Sequence, residues 1–385
     1  MKLYHLAHST VLVALCSFSL VGCGGGSGGS TQPPPAETIS VTCVDHIQIG
    51  VSAPNSYVCK ATENGDTIAA TFSVSDTSLA TINPSTGILT PNSSATGTLT
   101  VTATFGSATP GTTTVKVVDW ILYQNAGSVM VMNSDGSGQT MLLPQSAGCW
   151  YPTWSYGHLG FICGTDPTVT RSTFLMYSTD GTAAGTKGPG TLDLVAIGGL
   201  DSASFPRFSP DGKSIIFTGF KQTVVGSTTE DIEGVWTIGA DGTGLIERAT
   251  EPYGDGVLIE NPRFSPDGKE ILYQKGQYVW LMDADGGNPH QLVNTISSMA
   301  MFSPDMTKLY YISGWGGISN ITSTLANADG SNPTQISSTG ISVWDVSLRG
   351  NIVLWDMNTD AGQIIVASPD GSNQKTIAVG GAPSW

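Results

Sequence analysis

Histidine titrates near neutral pH and ligates metals, so it is the first place to look for chemistry. Past an apolar leader the chain holds only His46, His158 and His290. They stand far apart, and their spacing makes no metal cluster. Cys43 and Cys59 with the lone His46 fall short of the four ligands a zinc site wants. Acids are plentiful, and DADGGN (283–288) and NADGSN (327–332) alternate oxygens like the first half of a calcium loop. Neither is followed by the glutamate at position twelve that such a loop needs. No metal or cofactor is therefore expected. Asp201, Glu230, Asp231, Asp255 and Glu260 are acids that could gather at one mouth of the molecule. Paired carboxylates can hydrolyse glycosides, but only at separations a sequence does not give. No nucleophile elbow joins a strand to a helix, and no glycine-rich phosphate loop does so. The chain is not expected to be an enzyme; the alternative is a carboxylate-dependent enzyme acting on glycans or peptides.

The formal net charge is −15, with only 15 Lys and Arg among 385 residues. Such a surface repels phosphate backbones, so nucleic acid is excluded as a partner. Lys2 and the apolar run VLVALCSFSLV (11–21) read as an export signal, too short to span a bilayer. The run ends in LVGC (20–23), which resembles the bacterial lipoprotein box. That resemblance implies that residues 1–23 are a signal ending at Cys23, the residue to be lipidated. It also implies a bacterial envelope location, with Gly24 after the cysteine pointing to the outer membrane. GGGSGGSTQPPPAE (24–37) follows as a tether, flexible in its Gly/Ser part and stiffened by its prolines.

The elements that must carry any site are strands. Residues 38–119 alternate short apolar strands with turns, and FSVSDTSLATINPSTGILTP (72–91) resembles the bacterial group-2 immunoglobulin-like domain. A small β-sandwich serving as a spacer is implied. Cys43 and Cys59 lie in two of its strand-like segments, and export to an oxidising compartment favours their pairing.

From Trp120 a repeat takes over. Asp–Gly recurs at Asp135, Asp180, Asp241, Asp285, Asp329 and Asp370, at intervals of 45, 61, 44, 44 and 41 residues. Asp–Gly between strands is a hairpin signal, with both residues tolerating positive φ. A second turn lies upstream of most: FSPDGK at Phe208 and Phe264, FSPDMTK at Phe302, WSYGH at Trp154. Each unit reads as a four-stranded meander, one propeller blade. ILYQ occurs at Ile121 and Ile271, each 14 residues before its Asp–Gly. The first unit lacks the strand that should precede Ile121, and the orphan APSW (382–385) supplies it. The expectation is an all-β chain: a small sandwich, then a six-bladed β-propeller over 120–385 whose first blade is closed by strands from both its ends. FSPDGK and WLMDADG strongly resemble TolB-like propeller repeats. An immunoglobulin-like domain stands here where TolB has an α/β domain, so TolB's own partner contacts do not carry over.

Cys149 and Cys163 flank a blade-two turn and fall roughly opposite each other, which suits a cross-strand disulfide. Trp154, Phe208, Phe264 and Phe302 share one blade position and read as core between blades. The short turns lie on one face, and the irregular connections on the other: 164–172, 219–234 and 313–320 within blades, 183–204 and 250–260 between them. Long loops on a rigid ring are where recognition tends to sit. Phe220, Tyr253 and Trp315 are the loop aromatics expected to touch a partner. The expected role is a non-catalytic scaffold for an envelope protein or glycan, held to the membrane by its lipid.

Overall fold

The computed structural model describes residues 38–49, 57–92, 95–155, 160–165, 173–179, 186–225, 228–252, 257–314, 317–347, 350–358 and 361–385. The leader, Cys23 and the tether lie outside them. So do Tyr253, Asp255, Trp315, His158 and Asp180. The described residues all belong to one compact unit, Glu37–Trp385.

Residues 38–118 form a sandwich. One sheet pairs Ile39–Thr42 with Lys60–Glu63 and Asp66–Thr67; the other orders His46–Gln48, Gly111–Val118, Gly97–Thr104 and Thr71–Val74. The alternation in GTLTVTAT sends Leu99, Val101 and Ala103 inward and the threonines outward, the period-two signature of a sheet with one buried face. They pack with Ile47, Tyr57, Phe72, Leu89, Val115 and Val117 in one core. A disulfide joins Cys43 to Cys59.

The rest is a ring of six four-stranded sheets. The inner strands are Cys149–Trp154, Ser202–Phe208, Ile259–Phe264, Ser297–Phe302 and Ile341–Val346 in blades two to six, and Gly381–Ser384 in blade one. Each touches the next, and the ring closes between blade six, the strand Gly381–Ser384 and blade two. Leu122 pairs with Ser384 and Gln124 with Gly381. In blade four Leu272 pairs with Arg263 and Gln274 with Glu260. The two registers are the same, so the chain's far end completes blade one as the repeated ILYQ implies. Apolar clusters lie between blades: one brings Leu122, Val129 and Val131 of blade one against Trp154, Phe161 and Tyr177 of blade two. Cys149 is disulfide-bonded to Cys163. Cys149 itself pairs with Thr165, two residues from Cys163, so the bridge runs diagonally across the strand pair.

Every inner strand carries a bulge at one place. In five blades the bulged residue has positive φ: Tyr151, Phe205, Asn261, Met299 and Ala382. Non-glycine residues rarely occupy that region. A bulge bends the strand and re-aims the side chains that follow. It is the local device that turns the next residues toward the channel.

The Asp–Gly turns differ from the expected hairpin type. Positive φ falls on Gly136, Gly242, Gly286, Gly330 and Gly371, and again two residues later on Gly or Asn, but never on the aspartate. The aspartate instead accepts the N–H two residues on, as Asp370 does from Ser372 at 3.0 Å. A Cβ at Gly371 would lie 2.3 Å from the Ile336 carbonyl of blade five, and one at Gly330 2.7 Å from the Leu292 carbonyl of blade four. These turns are fasteners to the outer strand of the blade before.

Three stretches assigned to connections are structured differently. Residues 219–234 belong to two twelve-residue strands, Ser214–Val225 and Thr228–Gly239. Their inner neighbour pairs no further than Phe220 and their outer neighbour begins at Ile232, so Lys221–Val225 pairs only with Thr228–Ile232 or shorter, as a projecting arm. Alternating β-branched residues in TVV and TT favour strand over loop. Within 183–204, Thr186–Asp193 is the outer strand of blade two, followed by the short helix Leu194–Gly198. Its glycines argue against a strand, and tertiary pairing overrides that propensity. Within 250–260, the ends belong to the strands Ile246–Pro252 and Ile259–Phe264.

The sandwich meets the ring at Asp119, which is buried. Its carboxylate accepts Gln48 Nε2 (3.2 Å), Ser134 Oγ (2.8 Å) and Trp385 Nε1 (2.7 Å). The fully buried His46 packs on Trp120, ring centroids 4.5 Å apart.

Candidate functional site

Just past the bulge of each blade lies one repeat position that belongs to the channel ring: Thr153, Arg207, Arg263, Met301, Asp345 and Ser384. Each pairs across to the second strand of its blade, with Ile162, Ile216, Leu272, Tyr310, Val353 and Leu122 respectively. Arg263 spans the channel, donating from Nη1 to Asp345 Oδ1 (3.0 Å) and from Nη2 to the Trp344 carbonyl (2.8 Å). Asp345 Oδ1 also accepts the Val346 N–H at 3.0 Å. Its Oδ2 accepts Ser384 Oγ (3.2 Å) and the Trp385 N–H (3.1 Å). Ser384 Oγ in turn accepts the Trp154 N–H at 3.3 Å. Blades four, six, one and two are thus joined through a single carboxylate.

Arg207 is the odd member. It makes no hydrogen bond among the described residues, and its Nε is wholly enclosed without an acceptor. Burial, then the neighbouring Arg263 charge, bring its guanidinium down to about 9, partly offset by Asp345. It remains a cation at neutral pH. Around it Tyr151, Phe205 and Trp344 line a recess with Pro152, Thr153 and Pro206. The recess has about 10 Å³ of free space, room for roughly one water. Tyr151 lies 6.1 Å from Phe205 and 6.5 Å from Trp344 between ring centroids.

A second polar group lies at the seam of blades three and four. Glu233 Oε2 accepts the Ile259 N–H at 3.2 Å, and Glu233 pairs with Glu251 across the sheet. Glu251 is bonded to Lys275. Burial raises Glu233, and the Glu260 charge raises it further. Burial raises Glu260 too.

Of the acids singled out in the sequence, Glu260 sits in an inner strand, while Asp201 accepts the Gln222 N–H (2.6 Å) and Asp231 the Gln222 side chain (3.0 Å) at the base of the arm. Asp201 and Asp231 are thus spent on structure. Phe220 is a strand residue, paired with Ser202 and Glu233 on either side. The turn aspartates of the half calcium loops are engaged likewise: Asp285 accepts the Gly287 N–H and Asp329 the Ser331 N–H. Nothing in the sequence analysis above singles out Arg207, Arg263 or Asp345. The signal was present, since all three fill the x of the repeated Pro–x–aromatic or its counterpart, but the aromatic beside it drew attention to the core.

No protein-family model matches the chain, and no curated protein matches it. Solved structures do. A crystal structure of TolB from Acinetobacter baumannii superposes with a TM-score of 0.52 at 17% identity, over 69% of this chain and 66% of that one. The match thus spans just under two thirds of that TolB. A nidogen/laminin complex gives 0.50 at 13% identity, over 67% of this chain and 92% of that one. A putative TolB from Agrobacterium tumefaciens gives 0.48 at 17%, over 68% and 90%. At such identities the likeness is one of fold. The chain is all-β, and its larger part is a propeller similar to TolB's.

Proposed function

We propose that this chain is a non-catalytic scaffold of the bacterial cell envelope that binds a protein through the face opposite the Asp–Gly turns. The projecting arm of blade three carries the reading. One face of the ring is taken up by fasteners of fixed geometry, whereas the other extends a two-stranded ribbon beyond its blade. Ribbons and long connections on a rigid frame are where recognition residues concentrate. The likeness to TolB supports an envelope role, and the leader with its LVGC box supports lipidation at Cys23 and a membrane anchor. On this reading residues 24–37 are the tether and 38–119 an immunoglobulin-like spacer that lifts the ring from the membrane. Phe220, Tyr253 and Trp315 are the aromatics proposed to contact the partner.

Crosslinking in native envelopes, followed by mass spectrometry, tests this. The wild-type chain should capture a protein that the triple variant F220A/Y253A/W315A captures weakly. Loss of capture on substituting the Asp–Gly face, with the triple variant unaffected, would reverse the assignment of faces. Separately, C23A should leave the membrane fraction.

The raised pair Glu233 and Glu260 favours a second reading, a carboxylate enzyme acting on glycans or peptides. Turnover of a glycan or peptide that is lost in both E233Q and E260Q would establish it in place of the first.

A further inference from the structure

Charge and hydrogen-bond accounting in the channel leave one group over. The ring position described above holds two cations, Arg207 and Arg263, and one anion, Asp345. A carboxylate offers about four lone-pair sites. Asp345 fills four, from Arg263, Val346, Ser384 and Trp385. Arg263 has its own acceptors in Asp345 and the Trp344 carbonyl. Asp345 therefore has no lone pair left for Arg207, although its charge still acts on it; Arg207 makes no hydrogen bond among the described residues, and its Nε is shut away from solvent. An enclosed N–H without an acceptor is costly. This one also lines the aromatic recess, which gives it an approach from outside.

We propose that Arg207 is the seat of a carboxylate presented by an acidic side chain of the binding partner, with Tyr151, Phe205 and Trp344 packing around that side chain's stem. This rests on the scaffold reading above and names the chemistry of its partner. A guanidinium recognises a carboxylate through two parallel hydrogen bonds. The recess is small, which favours a compact anionic tip over a sugar ring. Tyr151 is 45% exposed, and exposed aromatics beside an arginine are the residue types that dominate protein interfaces. The excess positive charge stands in a chain of net charge −15, so a partner's acid finds attraction at this spot and repulsion elsewhere.

The test needs no partner in hand. The purified chain is titrated with sodium acetate, blocked aspartate (N-acetyl-aspartyl amide), glucuronate and phosphate, at ionic strength held constant with sodium chloride. Melting temperature and tryptophan fluorescence are read. Acetate and blocked aspartate should raise the melting temperature above the chloride control, and R207Q should weaken that response at least tenfold. R207Q should itself fold, since Arg207 makes no hydrogen bond among the described residues for the substitution to break. R207K keeps the charge without the fork, should fold, and should respond weakly. An acetate response equal in wild type and R207Q, or no response in wild type, overturns the site. Tighter binding of glucuronate or phosphate overturns the acidic side chain as its occupant. A chain that responds to acetate through Arg207 but captures no envelope protein sinks the scaffold reading and leaves the anion site standing.

Discussion

Asp345 concentrates more of the ring's polar bonding than any other single residue described above. Its side chain is only 14% exposed, and that of Arg263 11%. Removing one partner of such a pair strands the other, at a cost of about 3–5 kcal/mol. D345A should lose that much in a denaturant titration, and D345L/R263M should lose markedly less; equal losses would mean that the ion pair is not what holds these blades. The turn aspartates make a different prediction. Asp135, Asp211, Asp241, Asp267, Asp305, Asp329 and Asp370 lie below their ordinary 3.8, chiefly through the hydroxyl of a serine or threonine two residues away. Their folded values are depressed, so their contribution is complete above pH 3.8 and is lost as pH falls through the folded values. Glu233 and Glu260 have the opposite sign. They lie above 4.5, so their carboxylates cost stability as pH rises past 4.5. Melting temperature should therefore rise as pH is lowered from neutral toward 4.5 and fall below 3.8. E233Q/E260Q should flatten the first limb and leave the second. At this scale the sequence was half legible. It marked the aspartates as turn residues, because Asp–Gly is local chemistry. It hid Arg207, Arg263 and Asp345, whose meeting depends on the bulge in three different blades.

The strand and its turns were the most legible scale. The repeat places Trp154, Phe208, Phe264 and Phe302 in the core between blades; Trp154 and Phe302 are buried there while Phe208 and Phe264 pack on its margin. In sequence the arm looks like a loop, because nothing in 219–234 announces how far its neighbours follow it. The Asp–Gly glycines turned out to be constrained twice, by positive φ and by the carbonyl of the preceding blade. G371A therefore meets both a strained backbone and a 2.3 Å contact with the Ile336 carbonyl. It should destabilise the chain by about 1–3 kcal/mol, measurable as a lower melting temperature. G65A has positive φ but nothing within 4 Å, and should cost less. Equal costs would show that the fastener adds nothing to the backbone strain.

Across the whole molecule, closure of the ring was readable from ILYQ and APSW, because a repeat makes a missing strand conspicuous. The joint at Asp119 was not, since neither Gln48 nor Asp119 belongs to any repeat. Deleting residues 380–385 removes the inner strand of blade one and the Trp385 bond to Asp119, two positions 266 residues apart. Loss of a buried tryptophan alone is worth about 3–5 kcal/mol. The truncated chain should melt lower and aggregate through its bare strand edge; an unchanged melting temperature would refute the shared blade.

The closing strand also sets an order of events during biosynthesis. Blade one is made first yet stays three-stranded while blades two to six emerge, because Gly381–Ser384 is translated after all of them. The nascent ring carries an open seam, and long-range pairing of this kind is slow. Any other copy of residues 381–385 offers the same register, the same bulge and the same tryptophan to that seam. Refolding at high concentration should therefore trap exchanged dimers, in which each molecule's last blade strand is zipped into its neighbour.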